Sequence, residues 1–114
     1  MKYLIFHTAA DDSYMNTVEN FRGADAGAEF VDMYFASATV GAGSLSGYDK
    51  VRLVVTNGEE DRAIEELAGA MTRNSPVIVI ADDVNSVYSC QNVTSVGAIT
   101  LASQTQTRAH ETLI

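Results

Sequence analysis

The 114-residue chain has one cysteine, one proline, no tryptophan, and only seven lysines and arginines against fifteen acidic residues. Each scarcity narrows the possible functions. A single cysteine, Cys90, excludes an intramolecular disulfide and any zinc site built on paired cysteines. It lies in a strand-like stretch, where a free cysteine ordinarily packs into the interior. The basic residues, Lys2, Arg22, Lys50, Arg52, Arg62, Arg73 and Arg108, are scattered and form no stripe that could follow a phosphate backbone. Neither nucleic acid nor an anionic membrane surface is therefore an expected partner. The formal charge of −8 suits solubility or a basic partner surface instead. No run approaches the ~20 apolar residues that a membrane helix needs. The apolar opening, Met1 to His7, is too short for a signal-peptide core and no small-residue cleavage site follows it. The expectation is a protein of a reducing compartment, not one secreted by a signal peptide.

What is present points to one folded domain. A 46% hydrophobic and 19% charged composition is ordinary for a globular chain. Residues 1–102 read as a single α+β domain, and residues 103–114 as a polar C-terminal tail or arm. The best-specified stretch runs from Val51 to Asp83. Val51, Leu53 and Val55 alternate with Arg52, Val54 and Thr56, a strand with one buried face. Thr56 or Asn57, with Glu59 or Glu60 three residues on, makes a capping box. Ile64, Leu67, Ala68 and Met71 then line one face of a helix near 58–73. Asn74 is the expected left-handed stop and Pro76 cannot continue the helix. Val77 to Ala81 reads as a strand covered on both faces.

The remaining elements are read in the same way. Residues 2–8 form a strand with Leu4 and Phe6 on one face and Tyr3, Ile5 and His7 on the other; Ala9 to Ser13 is a turn. Met15 to Arg22 is a short strand or extended segment burying Val18 and Phe21, and Gly23 to Gly27 is a turn. Glu29 to Ser37 is a strand whose Asp32, beside Phe30 and Tyr34, implies a partly solvated face. Residues 38–49 form a Gly/Ser-rich connection, Val87 to Cys90 a short strand, and Val93 to Leu101 a closing strand. The order β-β-β-β-α-β-β predicts a mostly antiparallel sheet or open barrel with one packed amphipathic helix. The link from Thr56 to Pro76 also has the length of a right-handed parallel crossover.

Few residues carry chemistry. Gly41, Gly43 and Gly47 lead into a strand and not a helix, so they lack the geometry of a phosphate loop. Asp11-Asp12 and Asp82-Asp83 are acidic turns that each follow a strand; if those strands were parallel neighbours, four carboxylates would converge as a weak candidate site for Ca²⁺ or Mg²⁺. His7 and Cys90 are the only pair that resembles a base and a nucleophile, and neither has the neighbours such chemistry needs. Asn92-Val93-Thr94 matches a glycosylation sequon, a chance match without a secretion signal.

Several segments resemble, in their order, small uncharacterised proteins of marine tailed phages, cyanophages among them. They are Lys2–Thr8, Glu19-Asn-Phe-Arg-Gly23, Val31-Asp-Met-Tyr-Phe-Ala36, Val51-Arg-Leu-Val-Val55, Ile80-Ala-Asp-Asp83 and Val93-Thr-Ser-Val-Gly-Ala-Ile99. The resemblance implies a virion-associated or other structural component, cytoplasmic or on the particle, and brings no catalytic residue or cofactor with it. The leading expectation is a non-enzymatic structural or interaction protein that forms homo-oligomers or joins other virion proteins. The alternative is a small metal- or metabolite-binding module that uses the acidic turns or the Gly-rich loop.

Overall fold

The computed structural model describes residues 1–36 and 48–101. In chain order these form β1 (Tyr3–Ala9), β2 (Asp12–Thr17), a 3-10 turn (Val18–Asn20), β3 (Phe21–Gly27), β4 (Phe30–Ala36), β5 (Tyr48–Val55), α1 (Glu60–Met71), β6 (Val77–Asp82), β7 (Val87–Tyr88) and β8 (Val93–Thr100). Two four-stranded sheets result. Sheet A has the order β2-β1-β6-β7 and sheet B the order β3-β4-β5-β8. Every pairing is antiparallel except β1 with β6. The α+β class and single packed helix are as expected, but the strands close no barrel among the described residues. The link through α1 is not a crossover within one sheet, because β5 belongs to sheet B and β6 to sheet A.

Period-two alternation decides what is buried. Leu4 and Phe6 of β1, Val31, Met33 and Phe35 of β4, and Val51 and Leu53 of β5 are all fully enclosed between the sheets. Helix α1 packs against β3, β4 and β6 and adds Ala63, Leu67 and Ala70 to the same core. Ile64 and Met71 pack beside them, whereas Ala68 is exposed, so the buried stripe lies one residue away from the expected face on that side. Phe35 is the aromatic hub. Its ring meets those of Phe6 at 6.0 Å, Tyr14 at 5.9 Å and Phe21 at 5.6 Å, which joins both sheets at one point.

Four local expectations give way to tertiary context. Gly23 to Gly27 is not a turn but most of β3, so five strands precede the helix; three follow it, because the short strand expected at Val87 to Cys90 is present as β7, one more than the order β-β-β-β-α-β-β counts. The turn falls at Ala28-Glu29, where Glu29 takes φ 67°. Gly27 suits a strand here because the Phe30 ring lies where a Cβ would stand. The helix begins at Glu60 without a side-chain cap. Glu60 Oε2 instead accepts the Glu29 N–H at 2.8 Å and the Gly58 N–H at 3.3 Å, so the capping carboxylate ties the β3–β4 turn to the helix. These backbone donors hold the Glu60 carboxyl below the usual carboxylate range. Asn74 is not left-handed; α1 closes at Thr72, whose hydroxyl donates to the Gly69 carbonyl at 2.7 Å. Val77 is exposed and Val79 half-buried, so β6 is covered fully on only one face.

Truncation at the aromatic hub tests this arrangement. Phe35→Ala should cost about 3–5 kcal/mol of folding stability, the range for deleting a buried aromatic side chain. Chemical denaturation of both proteins reads the difference.

Candidate functional site

The structure places the sequence-predicted acidic turns on one edge. β1 and β6 are parallel neighbours, with His7 paired to Asp82, so both turns leave the same end of sheet A. A crevice of about 210 Å³ opens there, lined by His7, Ala9, Ala10, Asp82, Val84 and Asn85. The carboxylates nonetheless diverge. Asp12 accepts the Thr8 hydroxyl at 2.8 Å within its own hairpin, and Asp11 is exposed. Asp82 Oδ1 accepts the N–H groups of Val84 and Asn85, and its Oδ2 accepts Asn85 Nδ2 at 2.9 Å. The Asn85 side-chain bond is the largest of the effects that hold Asp82 below the usual carboxylate range. Asp83 turns the other way, accepting the Tyr88 hydroxyl at 2.7 Å and the Val96 N–H, and so fastens sheet A to β8. Among the described residues no group of three or more His, Cys, Asp or Glu side chains is placed to hold a metal ion.

The other candidates separate. His7 lies in the crevice with its Nδ1 bonded to Ser13 Oγ. Cys90 is buried and is not among the crevice's lining residues. Burial, reinforced by the Glu66 charge, pushes its thiol up to about 11, the opposite of an activated nucleophile. Asn92 of the sequon is buried, and Glu66 accepts both its backbone and side-chain N–H at 3.1 Å, an arrangement with no room for a glycan. The glycines Gly41, Gly43 and Gly47 and the tail 103–114 lie outside the described residues.

Sequence reasoning missed a buried polar cluster between the sheets. The Tyr14 hydroxyl donates to Asp49 Oδ2 at 2.7 Å and accepts Asn16 Nδ2 at 2.7 Å. Asn16 also donates to the Ala36 carbonyl and accepts the Thr17 N–H and Asn20 Nδ2. Asp49 has 0% exposure. Its signal was in the chain: the alternation of Val55, Leu53 and Val51, continued backwards, puts Asp49 on the buried face. On the outside of sheet B, Arg52 grips Asp32 through two bonds of 2.8 and 3.0 Å and stacks 3.8 Å over the Phe30 ring. That pair explains how Asp32 is buried on a face that is otherwise partly solvated.

No helix among the described residues is long and apolar enough to cross a membrane. Comparison with protein-family models, curated proteins and solved structures gives no match.

Two outcomes follow from the buried polar groups. Tyr14→Phe keeps the ring but removes the hydroxyl shared by Asp49 and Asn16, and should cost about 1–3 kcal/mol by denaturation. Burial and the Asp49 bond raise the Tyr14 pKa, and the Asp83 bond raises Tyr88 to about 12. Groups that hold their protons more tightly when folded contribute fully below their unfolded pKa values and lose that contribution as pH rises towards the folded ones. Stability should therefore decline from about pH 9, as unfolded Cys90 begins to ionise, and further above pH 10 through the tyrosines. Denaturation midpoints at pH 8 and 10.5 measure the decline, and Cys90→Ala should delay its onset.

Proposed function

We propose that this chain is a non-enzymatic structural or interaction protein that associates with copies of itself through the outer face of sheet A. The observation that carries the reading is an apolar surface that no other described residue covers. Cross-strand register sets Thr17, Tyr3 and Val77 in one row and Met15, Ile5 and Val79 in the next, all on the face opposite Leu4 and Phe6. Met15 is 53% exposed and Val77 48%. A sheet face of this kind is ordinarily packed against another layer.

Charge selects the occupant. These two rows carry no charged side chain, in a molecule of net charge −8. A second acidic copy meets least repulsion there, whereas a basic partner is drawn to the acidic surface elsewhere. At ~4.8 Å per strand and ~3.3 Å per residue, two rows across three strands cover roughly 200 Å². That is about a quarter of the ~800 Å² per partner in a standard stable interface, so the association is concentration-dependent. The titratable groups support a non-catalytic reading. The shifts of Tyr88, Cys90, Glu60, Asp82 and Arg52 all run away from neutrality, against the tuning that acid–base catalysis requires. The resemblance to tailed-phage proteins supplies the setting of a decoration or accessory component, a setting that absence from purified particles would remove.

Light scattering across roughly 10 µM to 1 mM protein tests the association. The mass should rise from the 12.2 kDa of one chain towards twice that value. Met15→Glu with Val77→Glu should stay at the single-chain mass throughout. A parent chain that remains monomeric over the whole range overturns the proposal.

A further inference from the structure

The crevice at the end of sheet A is a product of topology. After β1 the chain turns to β2 on one side, and after β6 it turns to β7 on the other, since the sheet order is β2-β1-β6-β7. Two adjacent parallel strands whose connections leave in opposite directions open a gap beyond their carboxyl ends. In open sheets that gap is the recurrent ligand position. Here it is held in shape from both sides. The Asp83 N–H donates to the His7 carbonyl at 2.9 Å, which ties the two strands just past their last pairing. The Ser13 hydroxyl fixes the His7 ring from behind. Ala9 and Ala10 form one wall, and their small side chains leave the opening unfilled.

We propose that this crevice binds the protonated amine or guanidinium head of a small organic cation. Its lining residues offer acceptors and no lysine or arginine. A carboxylate has about four acceptor positions, and the turn donors of Val84 and Asn85 take three of those on Asp82, leaving one. Asn85, having given its Nδ2 to Asp82, retains its carbonyl oxygen as an acceptor. The His7 ring supplies a flat side against which a planar or alkyl-ammonium head can lie. His7 is the one lining residue able to carry positive charge and it already acts on Asp82, while an anionic ligand meets the field of a −8 chain. Size sets the scale of the ligand. At about 210 Å³ the crevice is smaller than the ~300 Å³ at which drug-sized pockets begin, a scale that suits a short amine.

The test follows amide shifts by NMR on the ¹⁵N-labelled full chain, titrated separately with agmatine, putrescine, glycerol and sulfate up to ~20 mM, the range that reads millimolar dissociation constants. The expected result is a saturable shift for agmatine or putrescine at Ala9, Ala10, Asp83 and Asn85, weakened by added salt. Ala10→Leu fills the crevice from an exposed turn position, and Asp82→Asn keeps the turn's shape while removing the charge; each should weaken binding at least tenfold. Four results would overturn the proposal: no saturable shift with either cation, equal shifts with glycerol, equal shifts with sulfate, or unchanged binding in Ala10→Leu. The readout is independent of oligomeric state, so it stands apart from the self-association tested above.

Discussion

A fully enclosed carboxylate sits between the two sheets, and the fold is arranged around satisfying it. Removing an ionised group from water costs several kcal/mol unless hydrogen bonds replace the lost hydration. Asp49 is supplied by the Tyr14 hydroxyl from the opposite sheet, and Tyr14 is in turn fixed by Asn16. Asn16 reaches the end of β4 and the 3-10 turn through its remaining bonds. The cluster thus specifies where β2 must lie over β5. The rings of Tyr14, Phe6 and Phe35 meet beside it, so the polar bond sets the register that apolar packing then fills.

The same logic explains how an acidic chain with few cations keeps its carboxylates quiet. Among the described residues only Asp32 and Glu59 are paired with arginine. Four more are answered by neutral donors: Glu60 by backbone N–H groups of two turns, Glu66 by Asn92, Asp82 by its own turn, and Asp83 by Tyr88 and Val96. Each of these except Asp82 joins elements distant in sequence or in the sheets. These carboxylates stitch the fold together, and so they are not grouped as metal ligands are.

How far the sequence revealed this depends on the range of the interaction. Strands β1, β4 and β5 were legible because their apolar alternation is local and unbroken. Helix α1 was legible from its periodicity and from Pro76. The β3 strand was not, because Gly23, Asp25 and Gly27 suit a turn by propensity and become a strand only by pairing with β4 and by lying under Phe30. The helix cap was misplaced for a similar reason: Glu60 bonds Glu29, thirty-one positions away, and no local pattern encodes that partner. The acidic turns were located correctly and their meeting was conditional on parallel strands; β1 and β6 meet the condition, yet Asp83 and Asp12 point elsewhere. The direction of a side chain at a turn is a tertiary property.

Sheet A then differs from sheet B in a way that bears on function. The outer face of sheet B is closed by its own residues, with Arg52 laid across Asp32 and Phe30, and Phe30 across Gly27. Among the described residues the outer face of sheet A has no such cover: no charged side chain folds over Ile5 and Met15, and β7 is only two residues long. Among these residues one sheet covers its outer face with its own polar side chains, while the other leaves Met15 and Val77 about half exposed. An apolar sheet face is ordinarily packed against a further layer, and it is on this face that the proposed self-association rests.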